Sequence, residues 1–483
     1  MREFLEQTPN RTLFYFLMFA YLSFYTIQIP LFTGNTDVIV FSCRSLSDWP
    51  IVRYAYLDER SLLDQPPLPN YHIAHTVLLW LAYHIFPSKL SYTIWPSGFI
   101  SALCGALSAG LTFFIWVRLG VDKVASFIAA AISGLIPAIW NMSVLGEPYS
   151  LQLTSTLLFF YFFIADRMVI ATLAFLFTAF VSPIGGLSIF LVFLDLPTKR
   201  TVKKAIICGS TALLLYIIIT YYLNMDVYNA FSAITPASKD RSVIWKVYKF
   251  IWIFFLNINF LFPSLIRGIQ IMWFQYRGRI CYFCLAIVPW LLLAAMDSQF
   301  LDTPGNFLLL FFWVLCLPIS LALTSVQIPI HRYCLIIFGI VSIYLFSCYI
   351  PDTAIGISRA DAGYKLLRTV PEEIKIIGKW KSSVPIVLAK YGWNLDKLSE
   401  NYIESGSANY DESVLLKTGE KSLLIIMEKR DKIRLQLMKW GVPGFLKQEL
   451  DPLHMNNVGT VRKILENDTV IVYRWDRNAT GRQ

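Results

Sequence analysis

For the first 350 residues the apolar positions of this chain come in long runs, and after that they break into short clusters. The first run spans residues 12–32. Others follow at 93–117, 124–140, 150–165, 168–181, 184–194, 205–222, 250–266, 280–296, 307–325 and 333–350. Most approach the roughly 20 residues a helix needs to cross a bilayer. The pattern predicts about eleven membrane helices. The pair 168–181 and 184–194 reads as a hairpin turning at Ser182-Pro183-Ile184-Gly185-Gly186. Residues 73–86 are apolar but short, and such a run suits an interfacial or re-entrant helix better than a crossing.

Basic residues set the expected orientation. Arg2 and Arg11 precede the first run, which places the N-terminus in the cytoplasm. If 73–86 does not cross, Arg118, Lys123, Arg167 and the cluster Lys199, Arg200, Lys203 and Lys204 share that side. If it does cross, Arg118, Lys123 and the cluster all move outside. The positive-inside rule therefore favours the non-crossing reading. The loop 33–92, with its interfacial helices, then lies outside. So do residues 141–149, the longer loop 223–249 and the C-terminal tail.

From Pro351 charges become frequent. Residues 384–388, 422–427 and 469–473 read as strands, and 366–380 and 432–440 as helical or mixed. The expected organisation is a membrane domain over 1–350 and a small soluble α/β domain over 351–483 on the extracytoplasmic side.

Composition sharpens this picture. The 483 residues are 56% hydrophobic and only 15% charged, where a soluble chain would carry about 25% charged residues. The formal net charge of +10 does not mark a nucleic-acid binder, because the basic residues sit mostly in short loops between apolar runs. The 8 cysteines show no metal-ligand spacing.

Candidate chemistry concentrates in the external loop. It holds Asp37, Asp48, Asp58, Glu59 and Asp64 beside Arg44, Arg53 and Arg60, followed by His72 and His75. Asp37 stands where the first run ends. A carboxylate at that depth is partly desolvated, which suits a general base; the alternative is a solvated residue starting the next helix. Glu147 lies between two apolar runs, flanked by Gly146 and Pro148. It is either functional or a cap on the following helix. His72 and His75 are three apart, so on a helix they share a face, either packing at the interface or helping to bind phosphate or metal. Arg44, Arg53 and Arg60 are candidates for phosphate contact, since guanidinium binds phosphate in a bidentate fork, the alternative being solvated surface charge; Lys239 and Arg241 in the later loop carry the same two readings.

This arrangement resembles the GT-C superfamily of membrane glycosyltransferases, most closely the protein O-mannosyltransferases and lipid A aminoarabinose transferases. The likeness covers roughly residues 10–200. Asp37 sits where that family has its catalytic acid after the first span. The segment Pro66-Pro67-Leu68-Pro69-Asn70-Tyr71-His72-Ile73-Ala74-His75 resembles its Pro-Pro segment. Gly146-Glu147-Pro148-Tyr149-Ser150-Leu151 resembles its second acidic motif. The resemblance implies transfer of a sugar from a polyprenyl-phosphate carrier to an acceptor hydroxyl of a lipid, glycan or protein. In it Asp37 is the general base and Glu147 a second catalytic acid. His72, His75, Arg44, Arg53, Asp58, Glu59, Tyr149 and Arg241 contact the substrates. Some relatives use a divalent cation and others do not, and the sequence assigns no metal ligand.

Two other readings compete. A transporter or flippase of lipid-linked sugars predicts charge in mid-membrane and broken helices in matched halves. A scaffold predicts spans that serve only to anchor the outer domain.

Overall fold

A computed structural model describes residues 2–29, 72–85, 95–195, 198–222, 242–275, 277–296, 301, 305–325 and 333–343 of the helical part. Beyond these it describes 365–366, 369–370, 374–378, 402–404, 418–428, 459–466 and 470–477. The chain divides into two compact units, one of helices and one built on a sheet.

The helical unit begins with α1 (Arg2–Gln7), α2 (Asn10–Thr26), α3 (Ile73–Ile85) and α4 (Trp95–Arg118). It continues with α5 (Lys123–Leu135), α6 (Pro137–Val144), α7 (Pro148–Ile164) and α8 (Met168–Val181), then a 3-10 helix at Pro183–Leu194. It closes with α9 (Lys199–Tyr222), α10 (Val243–Ile258), α11 (Phe262–Gln275), α12 (Arg277–Met296), α13 (Leu309–Ser325) and a helix at Tyr333–Ile343. Among the described residues three stretches are long and apolar enough to cross a membrane: Trp95–Arg118, Lys199–Tyr222 and Val243–Phe274. The bent pair α5–α6 makes a fourth if counted as one span. The chain is an integral membrane protein. Several other expected spans are present as shorter apolar helices.

Helix α4 is the hub. It carries Ser, Ala, Cys and Gly at Ser101, Ala102, Cys104, Gly105, Ala106, Ser108, Ala109 and Gly110, all small and all buried. Small residues let apolar helices approach closely, which is how helices associate when lipid removes the hydrophobic drive. A β-carbon on Gly105 would lie 2.0 Å from Ser143 Oγ and 3.1 Å from the Tyr25 ring. Helix α2 meets this hub through Leu13, Leu17, Tyr21 and Tyr25, one buried residue per four. The Tyr25 hydroxyl donates to Gly134 O at 2.7 Å, and Tyr21 to Ala131 O. Between α4 and α7 runs a ladder of hydroxyls. Ser108 Oγ and Thr154 Oγ1 are 2.8 Å apart, and Thr154 donates to Cys104 O. Thr112 then accepts from Trp313 Nε1 at 2.8 Å, while the Trp313 ring stacks on Trp116. The ladder supplies directional bonds to a core otherwise held by dispersion.

The structure corrects several sequence readings. The expected span 124–140 is broken: α5 ends at Leu135, and α6 leaves it at 62°. Pro137, which lacks an N–H, opens α6. The next N–H, of Ala138, is taken by Asn257 Oδ1 at 2.7 Å. The expected loop 141–149 is therefore largely helical, with Asn141 to Val144 in α6 and Pro148 onward in α7. The loop 223–249 ends early, because Ser242 caps α10 by accepting from Trp245 N. Arg267, expected beyond a span end, lies inside α11. The run 184–194 is a 3-10 helix rather than an α-helix.

The second unit holds a five-stranded mixed sheet, ordered β2 (Tyr402–Glu404), β1 (Lys375–Gly378), β3 (Ser422–Glu428), β5 (Val470–Arg477) and β4 (Gly459–Glu466). Strands β1, β2 and β3 run parallel; β5 is antiparallel to β3 and β4. The unbroken apolar run of β3 is that of a central strand buried on both faces. The expected strands at 422–427 and 469–473 correspond to β3 and β5. Within 366–380, expected as helical or mixed, residues 375–378 form strand β1. The expected strand 384–388 and helix 432–440 lie outside the described residues.

Candidate functional site

The two ends of the helical unit differ in chemistry. At one end Arg118 Nε donates to Ile164 O at 3.3 Å, and Lys123 Nζ to Glu6 O and Thr8 O. There Arg200 and Lys204 both pair with Asp166. Lys204 beside it, with Arg200 and Arg118 adding to the effect, holds the Asp166 carboxyl below the usual carboxylate range. Arg118, Arg200 and Lys204 thus surround one carboxylate.

The opposite end carries the candidate site. Glu147 forms the connection between α6 and α7 and is 3% exposed. Its backbone is extended, and its side chain makes no capping bond to α7. Ser101 Oγ donates to Glu147 O at 3.3 Å, and Ser150 Oγ donates back to Ser101 O at 3.2 Å. The hydroxyl ladder of α4 and α7 thereby fixes the segment that bears the carboxylate.

Tyr149, two residues on, is half-buried. Its ring meets Phe307 edge-on at 5.0 Å and His72 at 6.3 Å. His72 Nδ1 lies 2.6 Å from Val181 O. A carbonyl only accepts, so Nδ1 carries the hydrogen and the neutral ring has its lone pair on Nε2. Val181 ends α8, where carbonyls lack helical partners. His72 thus uses a helix terminus to fix its tautomer and presents an acceptor beside the Tyr149 ring.

His75 is buried in α3. At about 20 Å long, α3 is too short to cross a bilayer. Burial, with neighbouring His72 adding to the effect, pushes its imidazole down to about 3. An unfolded chain takes up this proton near pH 6.5, the folded one only near pH 3. Stability should therefore fall as pH drops from 6.5 towards 3. His75→Gln should flatten this part of the profile, as thermal unfolding at stepped pH would show.

Of the predicted site residues, Glu147, Tyr149, His72 and His75 belong to the helical unit, and the first three lie at this end. Asp37, Arg44, Arg53, Asp58, Glu59 and Arg241 lie outside the described residues. Among the described residues no three His, Cys, Asp or Glu side chains group as metal ligands. Sequence reasoning missed Phe307, which reaches Tyr149 only through the tertiary fold. It also missed Lys246, buried in α10, whose Nζ donates to Ala295 O at 2.9 Å. A lone lysine in the run Val243-Ile244-Trp245-Lys246-Val247-Tyr248 was the available signal.

Solved structures align with most of this chain. ArnT from Cupriavidus metallidurans, in its apo state, aligns over 95% of this chain and 97% of its own, with a TM-score of 0.55 at 12% identity. The chain shares the fold of ArnT. The apo oligosaccharyltransferase of Archaeoglobus fulgidus aligns over 87% of this chain and 69% of its own, with a TM-score of 0.51 at 10% identity. No family model and no curated sequence matches. At such identities the likeness concerns fold, and the end-to-end match to ArnT includes the C-terminal region.

Proposed function

We propose that the protein is a membrane glycosyltransferase that moves a sugar from a polyprenyl-phosphate carrier to an acceptor hydroxyl on the non-cytoplasmic face. The observation that carries this reading is the buried Glu147, at the N-cap of α7 without a side-chain capping bond, in a fold that matches ArnT along nearly its full length. Asp37 removes the acceptor proton. The acceptor oxygen attacks the anomeric carbon with inversion, and the bond from that carbon to the phosphate oxygen breaks. The carrier phosphate leaves with the electron pair.

Glu147 orients the acceptor, and the Tyr149–Phe307 pair offers aromatic surface to a sugar ring. His72 holds that surface in place. Cations, with Arg44, Arg53, Arg241 and Lys246 as candidates, stabilise the negative charge that develops on the leaving phosphate. The C-terminal sheet unit lies on the same non-cytoplasmic side.

The test is an assay of purified protein with a panel of polyprenyl-phosphate sugars, reading release of the lipid phosphate. Glu147→Gln keeps the size and loses the charge. It should reduce transfer by about 10²-fold, the low end for a positioned acid or base. Transfer unchanged in Glu147→Gln would remove that residue from the mechanism.

One observation favours the flippase reading, the break at Ile136–Pro137. A flippase moves lipid-linked sugar between leaflets of a reconstituted vesicle without releasing phosphate, so the same assay separates the two.

A further inference from the structure

The four cations at the start of α9 are not equivalent. Arg200 and Lys204, one turn apart, are both used by Asp166, and Lys204 also lies over the Phe163 ring at 5.9 Å. Lys199 and Lys203, also one turn apart, form no ion pair among the described residues and are exposed. They border a shallow cavity of about 650 Å³ lined by Thr198, Lys199, Val202, Lys203, Ile206 and Ile207. Its floor is apolar and open: Val202 is 42% exposed, Ile206 65% and Ile207 50%.

The helix places this cavity at a membrane edge. Below it the outer face of α9 continues with exposed Leu213, Leu214 and Ile217, and ends at exposed Tyr221 and Tyr222. From Lys203 to Tyr221 is 18 steps of 1.5 Å, about 27 Å, close to the thickness of a bilayer's hydrocarbon core. Tyrosines favour the membrane–water boundary, and lysines bury their stems while raising their ammonium groups to it. Two unneutralised ammonium groups therefore stand at headgroup level, directly above a groove that faces lipid tails.

We propose that this cavity binds one anionic phospholipid, its phosphate between Lys199 and Lys203 and an acyl chain along Val202, Ile206 and Ile207. The charge selects an anionic head, and the apolar floor requires the attached chain. Arg200 and Lys204 take no part, because Asp166 already neutralises them. The site lies at the basic end of the bundle, away from Glu147, and does not depend on the transfer reading.

Native mass spectrometry of the full-length protein, delipidated and exposed to phosphatidylglycerol or phosphatidylcholine with identical chains, tests the assignment. Wild type should retain one phosphatidylglycerol in preference to phosphatidylcholine. The double variant Lys199→Gln/Lys203→Gln should bind it roughly 30-fold more weakly, from the usual contribution of two surface lysines. Arg200→Gln should bind as wild type does. Val202→Trp, which fills the groove and leaves both lysines in place, should also lose the lipid. A thermal midpoint like that of wild type certifies each variant as folded. Equal retention of both lipids, full retention in the lysine double variant, or loss with Arg200→Gln alone would overturn the proposal. Displacement of the lipid by equimolar glycerol phosphate would overturn it too, since the groove would then contribute nothing.

Discussion

Asp37→Asn is expected to abolish sugar transfer while leaving expression and monodispersity in detergent unchanged. The reasoning is chemical. An alcohol at neutral pH is a poor nucleophile, and it gains most of its reactivity by losing its proton as the new bond forms. A positioned base typically contributes about 10²- to 10⁴-fold. Asparagine has the same shape and accepts hydrogen bonds, but it cannot take the proton. The loss should therefore fall on kcat, with KM for the lipid donor little changed. Measured turnover within threefold of wild type would assign the base elsewhere. The comparison with Glu147→Gln is informative, because an orienting acid should act partly through acceptor KM, whereas the base should not.

The second large effect is structural. Gly268→Ala should destabilise the helical unit by about 3 kcal/mol, at the upper end for overpacking. A β-carbon at Gly268 would sit 1.8 Å from Pro318 O and 2.3 Å from Pro318 C, both backbone atoms. A flexible side chain could step aside, but a helix backbone cannot. Helices α11 and α13 would have to separate, and α13 also carries Trp313 to Thr112 on the hub helix. A thermal midpoint in detergent indistinguishable from wild type would show that the two helices do not pack this way. Gly186→Ala is the matched control, because a β-carbon there meets nothing within 4 Å.

Much of the helical unit was legible because membrane helices announce themselves by length and apolarity. The boundaries of α3, α4, α8 and α12 fall within a few residues of the apolar runs. What sequence missed follows one physical theme. In lipid-facing sequence, hydrophobicity marks depth but not backbone continuity, so the break before Pro137 and the 3-10 turns after Pro183 were hidden inside apolar runs. Glu147 was recognisable from its flanking Gly146 and Pro148, but its burial was not, because that depends on Ser101 and Ser150 closing over the segment. The Tyr149–His72–Val181 chain joins residues more than 100 positions apart, and no local pattern encodes such a contact. In the sheet unit, β3 and β5 were readable from their apolar runs. Strand β4, Gly459-Thr-Val-Arg-Lys-Ile-Leu-Glu466, was not, since its charged residues mask an edge strand.

The bond from Asn257 to Ala138 has a consequence for how such a protein can change over time. The angle at which α6 departs, and so the place to which Glu147 is delivered, is held by a side chain from a different helix. On the proposed transfer reading, a lineage could therefore retune the reach of its acid towards a bulkier or smaller acceptor through α10 alone, leaving the acid and its flanking residues untouched.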